Sequence, residues 1–138
     1  MSTSPIAPDD ARFARGQATF EQMTGFAASG FIDSLRDIAP RFARYAMEWE
    51  FADTFGQSSL DLRTQEIVAL ATFATIGSTA APILKFRIAT ALRAGVSRQE
   101  IIDIFIQIGL GAGLPTALAA IKAAEDLFAS EASPGEAA

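Results

Sequence analysis

Apolar residues recur at three- and four-residue steps along almost the whole chain, and no stretch alternates in the two-residue rhythm of a strand. That pattern predicts helices throughout and an all-α fold of about six helices. Phe13, Phe20 and Met23 mark a first helix from Asp9 to about Phe26, and Gly25 and Gly30 bracket the break after it. A short piece, Phe31 to Ile38, precedes Pro40, which suits the first position of a helix reaching Phe55 through Phe42, Tyr45, Ala46, Trp49 and Ala52. Asp61 is an N-cap candidate for Leu62 to Ile76, closed by Gly77. After a loop at Ser78 to Pro82 the next helix reaches Ala94 and stops at Gly95. Ser97 and Glu100 read as a capping box opening a helix from Arg98 to about Leu110. Gly113 and Pro115 punctuate, and Thr116 to Ala129 is the last helix. The expected organisation is a flexible segment at 1–8, one helical domain at 9–129 and a disordered tail at 130–138.

Two stretches, Ile67 to Leu84 and Ile104 to Ile121, carry no charge and are long enough to test as membrane spans. Gly77, Ser78, Thr79 and Pro82 interrupt the first, and Gly109, Gly111, Gly113 and Pro115 the second, so neither is expected to cross a bilayer. They read instead as buried helices, whose burial in so small a chain often calls for a partner subunit. The 138 residues allow one compact domain. The 11 basic and 16 acidic residues give a net charge of −5 with the two signs interleaved, which argues against a nucleic-acid surface. Residues Met1 to Asp10 have neither the basic nor the apolar region of a signal peptide, so the expected location is the cytoplasm.

The chain has no cysteine and no histidine. That removes thiol nucleophiles, thiolate metal sites and the usual neutral-pH base, and leaves chemistry to carboxylates, Arg, Lys, Tyr, hydroxyls or a borrowed cofactor. The Gly109, Gly111, Gly113 run lacks a preceding strand and a P-loop lysine, and reads as close helix packing rather than a phosphate cradle. Glu48, Glu50 and Asp53 surround Trp49, either as an acid–base pair beside an aromatic wall or as a solvated helix end. A di-metal site is not expected, because its E-x-x-H pairs need histidine. Glu66 and Arg87 are ionisable groups on largely uncharged helices. They suit either a shared site or a structural ion pair, with Glu66 alternatively an exposed first-turn acid. Arg87 lies at the margin of the stripe formed by Leu84, Ile88, Ala91 and Leu92, open to a crevice or to water.

At these residues a family resemblance emerges. Leu60-Asp61-Leu62-Arg63-Thr64-Gln65-Glu66-Ile67-Val68-Ala69-Leu70-Ala71 resembles the L-D-x-R-T-x-E-L-x-x-L-A helix of the carboxymuconolactone decarboxylase and alkyl hydroperoxidase D superfamily. Ala91 to Ile101 resembles its A-L-x-x-G-V-(S/T)-x-x-E-I, and Ala112-Gly113-Leu114-Pro115 the end of its Y-A-G-x-P. The matches stand in order and cover about residues 40 to 128. The resemblance implies a helical bundle of the alkyl hydroperoxidase D type, assembled into trimers or hexamers, with pockets between helices and at subunit contacts.

It also implies a choice of chemistry. The peroxidase branch uses a C-x-x-C pair, which this chain lacks, whereas the decarboxylase branch acts on a small dicarboxylate lactone without a cofactor. Glu66 stands at the family's relay glutamate, the family histidine falls on Arg87, the usual loop glutamate is replaced within Thr79 to Pro82, and the tyrosine of Y-A-G-x-P becomes Gly111. Arginine stays protonated and can only donate hydrogen bonds and charge. The expected function is therefore a divergent, cofactor-free and metal-free lyase, isomerase or cyclase. Glu66, Arg87 and Asp53 would be its catalytic groups, and Trp49, Phe86, Gly111 and Leu114 would contact a hydrophobic, acidic or enolisable small molecule. The alternative is a non-catalytic oligomer that kept the fold and lost the site, serving as a small-molecule binder or scaffold.

Overall fold

The computed structural model describes residues 10–136 and is all-α, with no strand among the described residues. Residues 1–8, expected to be flexible, lie outside them. The chain divides into two compact units, Met1–Ser59 and Leu60–Ala138, where the sequence reading has a single domain over 9–129.

The first unit contains α1 (Asp10–Thr24), α2 (Ala28–Ser34) and α3 (Pro40–Tyr45), which runs on into a π-helical segment, Ala46–Phe55. Gly25 (φ 77°) ends α1 as expected, but Gly30 lies inside α2, so the second helix begins and ends earlier than its apolar pattern suggests. Pro40 opens α3, where its missing N–H costs nothing. Past Tyr45 the winding widens, and the Gly56 amide donates five residues back to the Phe51 carbonyl at 3.0 Å. The unit is held by α1 against the π segment. The Phe20 ring meets Phe51 edge-on at 5.0 Å and Phe31 at 5.9 Å, with Met23, Met47, Ala43 and Ala52 buried around them. Gly16 lets the two backbones touch, because a Cβ there would stand 1.8 Å from the Met47 carbonyl oxygen.

The second unit contains α4 (Leu62–Ala74), α5 (Ala81–Arg93), α6 (Arg98–Ala112) and α7 (Leu114–Glu136), with a single 3-10 turn at Ser78–Ala80. Asp61 caps α4 by accepting from the Thr64 amide at 2.7 Å. Ser97 and Glu100 exchange both bonds of a capping box at 3.0 Å each, and Gly95 adopts a φ of 94° to end α5. The core is Leu70, Leu84, Ile88, Val96, Ile101 and Phe105 against the small residues Ala120, Ala123 and Ala124 of α7. Small side chains bring α6 and α7 close, so that a Cβ on Gly109 would lie 3.4 Å from that of Ala117. Helix α7 continues to Glu136, so residues 130–136 extend it where the sequence suggests a disordered tail. Among the described residues no helix is long and apolar enough to cross a membrane.

Two stability predictions follow from these contacts. Gly16→Ala forces Ala Cβ against backbone, which cannot rotate away, and is expected to cost about 2–3 kcal/mol in a denaturant titration. An unchanged midpoint would show that α1 and the π segment do not meet as described. Arg63 pairs with Glu100, and this bond, with the Ser97 amide, holds the Glu100 carboxyl at about 2, below its ordinary 4.5. A depressed folded value means stability that is full above 4.5 and lost as pH falls toward 2. Thermal melts of Glu100→Gln should therefore show a weaker acid loss than the parent, and parallel curves would refute the assignment.

Candidate functional site

Glu66 stands in the second turn of α4 with its side chain fully removed from water. Arg87 and Thr90, one turn apart on α5, are 2% and 4% exposed. The three form a buried polar cluster beside the apolar core of the unit. Glu66 Oε2 accepts from the Thr90 hydroxyl at 2.7 Å, and the same hydroxyl lies 3.0 Å from the Arg87 backbone carbonyl. Glu66 Oε1 is buried and has no hydrogen-bond partner among the described residues. The Arg87 guanidinium carbon lies 5.7 Å from the Phe73 ring centre and 5.6 Å from that of Phe86, so the cation is flanked by π faces.

Burial pushes the Glu66 carboxyl above the ordinary carboxylate value, and the Thr90 bond and the Arg87 charge only partly oppose it. The two residues singled out on α4 and α5 are thus both interior, which disposes of an exposed first-turn glutamate. Glu66 takes its hydrogen bond from Thr90, while Arg87 acts on it as a neighbouring positive charge. Phe86 joins this cluster through Arg87.

Gly111 and Leu114 lie elsewhere in the second unit, at the end of α6 and the start of α7. Gly111 is exposed, and a Cβ there would meet nothing within 4 Å. Leu114 lines an apolar groove of about 470 Å³ with Ile106, Pro115, Leu118 and Ile121.

Asp53 and Trp49 belong to the first unit. Arg12 grips Asp53 through Nε at 3.0 Å and Nη2 at 2.5 Å and also reaches Glu48 at 3.4 Å. Arg44 pairs with Glu48 at 2.7 Å and with Asp10 at 3.0 Å. The Arg12 hydrogen bond holds the Asp53 carboxyl below its usual range, which suits a permanent anion rather than a proton carrier. Trp49 is 67% exposed on a groove of about 380 Å³ shared with Arg12, Phe42, Tyr45 and Glu48. Sequence reasoning passed over Thr90 and Phe73. The available signal was the hydroxyl three residues after Arg87 on an apolar face.

With Glu66 buried beside Arg87, and the caps of α4 and α6 where the motifs require them, the chain belongs to the carboxymuconolactone decarboxylase family, whose sequence model matches residues 40–126. Its relatives include an uncharacterised 15.0 kDa protein from the nqo9-nqo10 intergenic region of Paracoccus denitrificans. That protein is 26% identical over 98 residues, which cover 71% of this chain and 73% of the relative. Another is the 4-carboxymuconolactone decarboxylase of Acinetobacter baylyi, 22% identical over 121 residues that cover 87% of this chain and 89% of that enzyme.

The raised Glu66 value fixes a sign. The folded state holds this proton more tightly than the unfolded chain, so the associated stability is full below about 4.5 and is lost as pH rises through the folded value. Glu66→Gln cannot ionise. Its melting temperature relative to the parent should therefore climb as pH rises above about 4.5, and a constant difference would show that Glu66 is not buried as an acid.

Proposed function

We propose that this protein is a cofactor-independent acid–base enzyme of the decarboxylase type, a lyase or isomerase acting on a small acidic, enolisable molecule. The observation that carries the reading is Glu66, a buried carboxyl with one oxygen bonded to Thr90 and the other without a hydrogen-bond partner among the described residues, placed beside a permanently cationic Arg87. A carboxyl whose proton is held more tightly than usual can act as a proton donor, and an arginine can hold the anion that receives the proton. In a decarboxylation the bond from the α-carbon to the carboxylate breaks, carbon dioxide leaves, and the electron pair becomes an enolate. Arg87 stabilises that enolate and Glu66 protonates its carbon, with the proton restored from solvent. The Acinetobacter baylyi relative, a 4-carboxymuconolactone decarboxylase by name, supports this reaction class. In this reading Asp53 is not the proton donor, because the Arg12 hydrogen bond favours its ionised form.

We further infer a homo-oligomer. Ile106, Leu110, Leu114 and Leu118, at four-residue steps, are all exposed, with Leu110 89% exposed, and grouped exposed apolar residues mark interaction surfaces.

The closure of Glu66 and Arg87 to water favours a second reading, a non-catalytic oligomeric binder or scaffold in which they are a sealed polar cluster. Turnover of carboxylated lactones and related enolisable acids separates the two. In the enzyme, Glu66→Gln lowers kcat by about 10²–10⁴-fold and Arg87→Met weakens turnover and substrate binding together. If the parent turns over none of these compounds and none raises its melting temperature, the enzyme reading fails.

A further inference from the structure

The hydroxyl of Thr90 stands between two acceptors, Glu66 Oε2 at 2.7 Å and the Arg87 carbonyl at 3.0 Å, and it has one hydrogen. Both contacts are within bonding distance, so both are satisfied only when a second hydrogen lies on one of them. The Arg87 carbonyl cannot carry one. Glu66 can. With Glu66 neutral, its O–H donates to Thr90 Oγ1 and Thr90 donates to the Arg87 carbonyl, the bond a threonine ordinarily makes to the preceding turn of its own helix. With Glu66 ionised, the hydroxyl turns and donates to Oε2 instead.

We propose that Thr90 is a positioning residue for Glu66, a rotating hydroxyl that keeps a partner on Oε2 in both protonation states, accepting from the neutral carboxyl and donating to the carboxylate. This deepens the acid–base reading of the same site and rests on it for the substrate, but not for the rotation. Oε1 is the oxygen left without a hydrogen-bond partner among the described residues, on a side chain wholly removed from water. A carboxyl free to rotate would carry its proton on either oxygen; one fixed by Thr90 keeps the neutral-state proton on Oε2 alone.

The charges that bear on the cluster are few. On α5, Arg87 acts on Glu66 directly. The ionisable groups of the helices packed against α4 are engaged at the surface: Glu100 with Arg63, Arg98 with Glu131, Lys122 with Glu125, Lys85 with Asp126, and Asp103 with Gln99. Arg93 is exposed at the end of α5. A titration seen at Thr90 therefore reports Glu66.

The test needs no substrate. In the full-length protein with labelled glutamate and threonine, the Glu66 side-chain carboxyl carbon, assigned by its loss in Glu66→Gln, and the Thr90 hydroxyl are followed by NMR across pH. The expected result is that the Thr90 signal moves with the same midpoint as Glu66. In Thr90→Val, which keeps the shape and removes the donor, the Glu66 midpoint should rise by about one pH unit, and Thr90→Ser should restore it. A Thr90 signal that stays still while Glu66 titrates overturns the proposal, as does a Thr90→Val midpoint equal to the parent's, since a threonine bonded only to its own helix would give both results. Should Thr90→Val fail to fold, the signal in the parent protein decides alone. Activity then separates the two inferences: coupled titration without turnover leaves Thr90 in place and removes the enzyme, and turnover lost in Glu66→Gln with an unmoved Thr90 does the reverse.

Discussion

Glu66 lies in the interior of a helix pair, and taking an ionised carboxyl out of water costs several kcal/mol even after relaxation. One hydrogen bond to a charged group returns about 1.5–3 kcal/mol, and the Arg87 charge opposes the burial cost only in part. Desolvation therefore wins, and the carboxyl moves toward its neutral form. The surroundings follow from that outcome. Thr90 donates a hydrogen bond to it, and Arg87, itself interior, lies near the Phe73 and Phe86 rings. An apolar residue at position 66 would relieve the cost, so a carboxyl there is difficult to explain by packing alone.

Asp53 in the first unit is set the opposite way. Asp53 is partly open to water and gripped by a guanidinium fork, and its proton is held less tightly than usual. The same chemical group is thus tuned upward by burial in one place and downward by a cation in another, and the direction follows from which influence is nearer. In the proposed reaction that contrast favours Glu66 over Asp53 as the proton carrier.

Local chemistry was legible in the sequence wherever a few neighbouring residues decide it. The caps at Asp61 and Ser97 and the stop at Gly95 depend on side chains within one turn, and they stand where the sequence puts them. Glu66 was legible because its motif is local. Arg87 was ambiguous, since a helical wheel places it at the edge of the apolar stripe and only packing against Phe73 and Phe86 decides its burial. Thr90 was invisible because its role depends on a residue 24 positions earlier. The widening of the third helix was missed for a similar reason: Phe42, Tyr45, Trp49 and Ala52 fit three- and four-residue steps, whereas the observed bonds span five.

That wider winding has a geometric consequence. In a turn of 3.6 residues, positions five apart point about 140° away from each other around the axis. Closing the loop over five residues stacks them instead, and Glu48 and Asp53 are five apart. A single guanidinium on α1 can therefore hold both, as Arg12 does. The segment behaves like a helix with one residue to spare, and its spare residue is what converts two diverging acids into the jaws of one clamp.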